Sequence, residues 1–184
     1  ENVLELNHLI QEILDFRKVE DDGFRNVKFA PASISDFLQH ECERFEALIE
    51  QRKIHFHLQV ASGLNWNTDI LLVKKIFSNL LSNAFKYTPN GGEIIFRIEK
   101  QDKKVLLYVI DSGKGLGKND DAKTLFERFY QGKNSADMHL GGSGIGLNLC
   151  RSIVRLHGGD VYAHNREDGK SGACFIIELP LGKE

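Results

Sequence analysis

A chain of 184 residues, 41% hydrophobic and 27% charged, has apolar side chains enough for one core and reads as a single globular, soluble domain. Lys and Arg number 24 against 26 Asp and Glu, a net charge of -2, so bulk electrostatics favours neither nucleic acid nor a membrane surface as partner. Cys42, Cys150 and Cys174 stand far apart in apolar segments with no CxxC, the pattern of buried free thiols in a reducing, cytoplasmic compartment, which sets zinc and disulfides aside.

No apolar run approaches the ~20 residues of a membrane span. Glu1 is neither an initiator Met nor the start of a signal segment, and the chain is expected to be a piece of something longer. From Val3 to Val19, Val3, Leu6, Ile10, Ile13 and Phe16 step by three and four, with Leu9 and Leu14 widening the stripe. This amphipathic helix is expected to pack in a bundle with helices the sequence does not contain. EDDG, Glu20 to Gly23, closes it as an exposed linker.

VKFAP (27–31) predicts a short strand, and residues 33–52 a helix with Ile34, Phe37, Leu38, Cys42, Phe45, Leu48 and Ile49 on one face. IHFHLQV (54–60) alternates as a strand does. A long helix is predicted from Asp69, its N-cap, to about Tyr87, stopped by the run Pro89, Asn90, Gly91 and Gly92. EIIFRIEK (93–100) and KVLLYVID (104–111) are two strands about the turn QDK. Residues 112–143 form a long polar, glycine-rich loop broken by LFERFY. A helix over 144–157 and strands near 160–164 and 172–179 complete the chain. Hairpin and crossover connections together predict a mixed sheet covered by helices on one face, and a loop of that length in a compact domain is where function is sought.

GGSGIGLNLC (141–150) is no dinucleotide fingerprint, because Gly142, Gly144 and Gly146 follow a polar loop and Leu147 stands where the third glycine is required. It is no P-loop either: Gly169-Lys170-Ser171 is preceded at the critical place by His164. Backbone N–H groups freed by glycines at a helix N-terminus make an anion site; taken alone, the segment reads equally as a phosphate lid or a flexible connector. DSGKGLG (111–117) places an acid at the end of an apolar strand, where burial is costly without a hydrogen-bonding partner. The exocyclic amino group of adenine is such a partner, whereas guanine would set a carbonyl oxygen against the carboxylate. Gly113 and Gly115 let the main chain pass close to a flat base. In NLLSNAFKYT (79–88), Asn79, Asn83 and Lys86 share one side of the helix while Leu80, Leu81 and Ala84 face elsewhere. Asn83 suits a magnesium ion through its amide oxygen, Lys86 the phosphates and Tyr87 the base, although any one of the three alone is commonly just a solvated face.

Together these segments resemble the catalytic, ATP-binding domain of bacterial sensor histidine kinases, within the group that includes DNA gyrase, mismatch-repair ATPases and heat-shock chaperone ATPases. NLLSNAFKYTPNGG looks like the N box, DSGKGLG the first glycine box, LFERFYQG the phenylalanine box and GGSGIGLNLCRSIVRLHGG the second glycine box, in order and over residues 27 to 181. The resemblance implies an α+β fold, a two-layer α/β sandwich of the Bergerat (GHKL ATPase) type. It divides the chain into residues 1–22, the C-terminal part of the second helix of a dimerisation hairpin, a linker over 23–26, and an ATP-binding catalytic domain over 27–184. It implies ATP and magnesium as cofactors, with Asn83 as metal ligand, Lys86 on the phosphates, Tyr87 beside the adenine and Asp111 on its amino group. Gly113 and Gly115 match the base-side turn, Phe126 and Phe129 the aromatic pair anchoring the lid, and Gly142, Ser143, Gly144, Ile145, Gly146 and Leu147 the segment over the triphosphate. Asn79 matches an asparagine of these kinases where hydrolysing relatives carry a glutamate that activates water, a task an amide cannot perform.

Leu116 replaces the usual isoleucine, and KNDDAKT (118–124) lacks the common proline. No segment resembles the phosphoacceptor motif; His8 in LNHLIQ reads as a flank of the apolar stripe. The partners implied are the histidine-bearing dimerisation helices and a response regulator receiver domain. The activity implied is protein-histidine kinase; the alternative is a binding module of the same fold that holds nucleotide and phosphorylates nothing. Of the remaining histidines, His55 and His57 read as a half-exposed strand face, and His157, ending a helix, as a partly cationic imidazole.

Overall fold

In the computed structural model, residues 27–61, 64–117, 124–130 and 143–182 are described, together with positions 10, 13, 14 and 17. The latter four are helical, and Ile10, Ile13 and Leu14, the members of the first segment's apolar stripe among the described residues, are exposed. Gly142, the first twenty-odd residues apart from those four, and 118–123 fall outside the described residues, and the expectations placed on them stay with the sequence.

Among the described residues from 27 on, seven strands and four α-helices carry the fold. A two-stranded antiparallel ribbon joins β1 (Ala30–Ser33) to β3 (Asn65–Thr68). The main sheet holds β2 (His55–Val60), β4 (Glu93–Gln101), β5 (Lys104–Asp111), β6 (Asp160–Asn165) and β7 (Ala173–Pro180) in the order β2-β4-β5-β7-β6. The β2–β4 pair is parallel and the other pairs antiparallel, so the sheet is mixed as expected. Helices α1 (Ile34–Glu43), α2 (Glu46–Arg52), α3 (Ile70–Tyr87) and α4 (Gly146–Leu156) complete it. Alternation along β4 sends Ile94, Phe96 and Ile98 into the core, where Val105, Leu107 and Val109 of β5 and Ile177 and Leu179 of β7 join them. Over this face lie α3, burying Val73, Ile76, Phe77, Leu80, Leu81, Ala84 and Phe85, and α4, burying Leu149, Cys150, Ile153 and Val154. Each such side chain contributes about 1.5–3 kcal/mol of transfer free energy. Phe77 meets Phe96 edge-on at 4.5 Å, locking α3 to the sheet.

Both ends of α3 are tied. Asp69 is its N-cap: Oδ1 accepts from the N–H groups of Leu71 and Leu72, while Oδ2 accepts from Lys28 N–H at 2.9 Å. At the other end Arg52 donates to the carbonyls of Phe85 and Thr88 and, at 2.9 Å, to Asn90 Oδ1. The helix that carries Asn79, Asn83 and Lys86 therefore has fixed ends, and its polar face a fixed direction.

Four expectations are corrected. The first strand begins at Ala30 rather than Val27, because Lys28 N–H is taken by Asp69 instead of a ladder. β3 was not foreseen; NWNT has one apolar residue and becomes a strand by pairing with β1. The single helix over 33–52 is two. A turn at Arg44 and Phe45 breaks it, Phe45 stacks flat on Phe85 at 5.2 Å, and Glu41, buried, is held by Arg44 at 3.0 Å and Lys74 at 2.6 Å. His157 is 6% exposed, with Nδ1 at 2.8 Å from the Ile153 carbonyl and its ring 5.3 Å from that of Phe29, and burial holds its pKa below the usual imidazole range. The neutral form is favoured there, not the cation.

Cys150 and Cys174 are buried free thiols and Cys42 is half-buried. His55 and His57 are exposed. Among the described residues no helix is long and apolar enough to cross a membrane, and no three His, Cys, Asp or Glu side chains converge as metal ligands would.

Candidate functional site

The last three turns of α3 put Leu80, Leu81, Ala84 and Phe85 into the core and leave Asn79, Asn83 and Lys86 half-buried on the other side. The two asparagines differ. Asn79 donates from Nδ2 to its own helix at Lys75 O, 2.9 Å away, whereas the Asn83 carboxamide makes no hydrogen bond among the described residues. Each keeps an amide oxygen to offer a ligand, and Asn83 differs in that its whole carboxamide is unbonded among the described residues. Lys86 places Nζ 5.0 Å from the centre of the Tyr87 ring, and Lys114, from the glycine loop, places its Nζ 5.7 Å from the same ring. Tyr87 is 43% exposed, an aromatic surface flanked by two ammonium groups. Lys114 was not singled out from the sequence; the lysine of DSGKGLG looks like any loop lysine until the fold sets it beside Tyr87.

Asp111 ends β5 opposite Ile94 and is 3% exposed. Burial pushes its carboxyl pKa up, against the pull of two amide N–H groups and of Arg166. Oδ1 accepts from Gly113 N–H at 2.8 Å and from Ala173 N–H at 3.4 Å. The backbone then folds tightly against the end of α3: a Cβ on Gly113 would lie 2.5 Å from the Tyr87 carbonyl oxygen and 2.8 Å from Asp111 Oδ1, so only glycine fits. Asp111 and Tyr87, 24 residues apart by number, thus form one wall.

Behind this loop stands the turn between β6 and β7. Ser171 Oγ donates to Gly113 O at 2.6 Å, and the Asn165 carboxamide both accepts from Leu116 N–H at 2.6 Å and donates to Leu116 O at 3.2 Å. Arg166, its side chain 5% exposed, bridges Glu93 at 3.0 Å and Asp168 at 2.6 Å and reaches the Asp111 carbonyl at 3.5 Å. Asp168 is held at a pKa of about 2, chiefly by its hydrogen bond from Arg166. Sequence reasoning missed Asn165, Arg166 and Ser171, whose only local sign is the turn RED GKSG itself.

The aromatic pair expected at the lid divides. Phe126, in a 3₁₀ turn over Thr124–Phe126, is 1% exposed and meets Phe175 edge-on at 6.4 Å, while Phe129 is 71% exposed and its ring makes no aromatic contact among the described residues. Among those residues, Phe129 is tied to the glycine segment through its main chain. It takes φ +59°, donates its N–H to Gly144 O at 3.1 Å, and runs so close that a Cβ on Gly144 would come within 2.8 Å of its backbone. Gly144, at φ +68°, is fitted to that approach. Ser143 Oγ accepts from Ile145 N–H at 3.0 Å. Ile145 is buried and Leu147 packs on the core, so these two offer a ligand their backbone rather than their side chains. The helix α4 begins at Gly146, and its first N–H groups lack intrahelical acceptors, as at any helix N-terminus.

Residues 68–183 match the family described as histidine kinase-, DNA gyrase B- and HSP90-like ATPases. Among curated proteins, the chain is 33% identical over 185 residues to histidine kinase P4 of Formosa agariphila, across 96% of this chain and 13% of that protein. It is 31% identical over 174 residues to the alginate biosynthesis sensor protein KinB of Pseudomonas aeruginosa, across 94% of this chain and 28% of that one. Among solved structures, the catalytic domain of histidine kinase ThkA superposes with a TM-score of 0.72 at 28% identity, covering 84% of this chain and 96% of that chain. The structure of ThkA in complex with the response regulator protein TrrA superposes at 0.78 with 26% identity, covering 98% of this chain and 48% of that one. The chain thus spans a minor part of the length of these curated relatives and nearly all of one isolated catalytic domain.

Proposed function

From the membership of this chain in the histidine kinase-, DNA gyrase B- and HSP90-like ATPase family, we propose that it is the ATP-binding catalytic domain of a two-component sensor histidine kinase. Its task is then to hold ATP and present the γ-phosphate to a histidine on dimerisation helices, for relay to a response regulator. The observation that carries the reading is Asp111: a carboxylate 3% exposed at the start of a glycine turn, its Oδ1 satisfied from within, the turn packing at Gly113 on the backbone of Tyr87, whose exposed ring has two lysine ammonium groups beside it. A buried acid in that place costs stability unless a ligand's donor answers it. The amino group of adenine is such a donor, and an exposed aromatic ring beside it gives the base a surface.

The remaining roles belong to the same reading. Lys86 and Lys114 would bring positive charge to the phosphate side, Asn79, Gly113 and Gly115 would line the nucleotide, and the segment 142–147 would cover the triphosphate, as the family resemblance implies. Asn83, whose carboxamide makes no hydrogen bond among the described residues, would hold a magnesium ion through its amide oxygen, and the ion would supply charge neutralisation to the triphosphate. Asn79, its amide already bonded to Lys75 O, has no basic group to activate water. Catalysis would then rest on positioning and on charge neutralisation at the phosphates, with little covalent work asked of the protein. Within this reading, residues 1–22 are the end of the second dimerisation helix, 23–26 a linker and 27–184 the catalytic domain, in a cytoplasmic part of the parent. The exposed side chains of Ile10, Ile13 and Leu14 support the first of these.

The test combines this chain with a helical hairpin bearing the acceptor histidine and with γ-labelled ATP and magnesium. Acid-labile label on the hairpin supports the kinase; tight ATP binding with no transfer supports a nucleotide-holding module instead. Steady phosphate release by the chain alone would favour a hydrolase.

A further inference from the structure

The six-residue loop 111–116 is held at both ends by one rung of the β6–β7 ladder. Asn165 and Ala173 are direct partners in that ladder. Ala173 N–H reaches Asp111 Oδ1 at one end of the loop, and the Asn165 carboxamide takes both the N–H and the C=O of Leu116 at the other. Ser171 adds a bond to Gly113 O between them. Asn165 also accounts for a glycine: a Cβ on Gly115, which sits at φ +73°, would lie 2.5 Å from Asn165 Oδ1. The side chain of Asn165 is exposed and adds nothing to the core, yet it commits its acceptor and a donor to the two backbone groups of a single residue 49 positions away. An exposed carboxamide spent in this way fixes a backbone rather than filling space.

We propose that Asn165 is a positioning residue of the nucleotide site, fixing the Leu116 peptide and with it the Gly113–Gly115 turn against which the adenine lies. The inference rests on the ATP-binding reading above. It assigns the β6–β7 turn a part in base recognition although that turn presents no side chain to the base. A loop held in advance at both ends loses little freedom when a base settles on it, so the two bonds to Leu116 act on affinity.

The experiment titrates the full 184-residue chain with magnesium ATP and with magnesium tripolyphosphate, a probe with the phosphates and no base. With Asn165→Ala, the Kd for ATP is expected to rise roughly tenfold while that for tripolyphosphate moves by no more than about twofold. Asn165→Asp keeps an acceptor for Leu116 N–H but sets a second oxygen against Leu116 O where the donor stood, and its added charge acts on both anions alike, so the ratio of the two affinities should return only part of the way from the alanine value to the parent's. Parent chain that binds ATP together with an Asn165→Ala variant that binds it equally well, or that weakens for both ligands in the same proportion, overturns the inference and leaves the functional reading standing. Parent chain that does not bind ATP overturns both.

Discussion

Asn148, in the first turn of α4, donates from Nδ2 to the carbonyl oxygen of Phe126 at 2.8 Å, both residues being buried. This one bond joins the helix that follows the glycine segment to the turn that seats the aromatic anchor. Oδ1 of the same carboxamide is buried without a partner, so the side chain carries a desolvation cost alongside its bond. Asn148→Ala removes both and leaves the Phe126 carbonyl unpaired, for a net loss of about 1 kcal/mol. Urea denaturation should show the loss, and ATP affinity should fall with it as the 3₁₀ turn loosens from α4. Unchanged stability and affinity would mean that this tie is dispensable.

His157 gives a pH signature of opposite sense to that read from its place in the sequence. Its folded pKa is depressed, first by burial, with the Ile153 carbonyl and the charge of Asp69 opposing that in part. The unfolded chain therefore binds the proton more tightly than the folded one, and the stability due to neutral His157 is complete above the usual imidazole pKa and lost as pH falls through it toward the lower, folded value. Thermal midpoints measured between pH 7.5 and 5 should fall by an amount that His157→Gln removes. A parent and variant with parallel pH profiles would refute it.

The C-terminus of α3 depends on one guanidinium. Arg52 donates to two carbonyls of that end and to Asn90 Oδ1, a fork that a single ammonium cannot reproduce. Arg52→Ala should cost about 2 kcal/mol, and Arg52→Lys should restore little of it. Because Lys86 and Tyr87 lie in that last turn, the variant should also loosen nucleotide binding, and a lysine variant as stable as the parent would show the fork to be unnecessary.

How far all this can be read from sequence depends on range. Asp69 and the asparagine face of α3 are local patterns, capping and helical spacing, and both stand where expected. So do the β4–β5 hairpin and α4, whose punctuation is QDK in one case and glycine in the other. What was invisible is long-range: Asn165 on Leu116, Arg52 on Phe85 and Asn148 on Phe126 each join residues far apart in the chain. No periodicity encodes such a pair. The break between α1 and α2 has the same cause, since a helical stripe through 33–52 is continuous on paper and only the Phe85 ring across the core selects the turn at Phe45.

Asn83 separates ion binding from folding. Its half-buried carboxamide has no partner among the described residues, so Asn83→Ala should leave stability within about 0.5 kcal/mol of the parent. ATP titrations with and without magnesium should differ in the parent and coincide in the variant. A variant that keeps the parent's difference would take the metal away from Asn83.

Asp111 sets stability against recognition. Burial raises its carboxyl pKa, so the folded state holds the proton more tightly than the unfolded chain. The sign follows: its contribution is most favourable below the usual carboxylate range and is lost as pH rises through the raised, folded value, which leaves the ionised side chain a cost at neutral pH. Asp111→Asn keeps an oxygen to accept from Gly113 and Ala173 and removes the buried charge. The variant should be as stable as the parent or more so near pH 7, with its advantage shrinking in acid. Its nitrogen, however, turns a donor toward the adenine amino group, and two donors repel where a carboxylate would accept, so ATP affinity should fall by at least roughly tenfold. Differential scanning calorimetry and ATP titration on the same preparation check both halves. A variant that is less stable at pH 7, or that binds ATP as tightly as the parent, would show that this carboxylate is kept for the fold and not for the base.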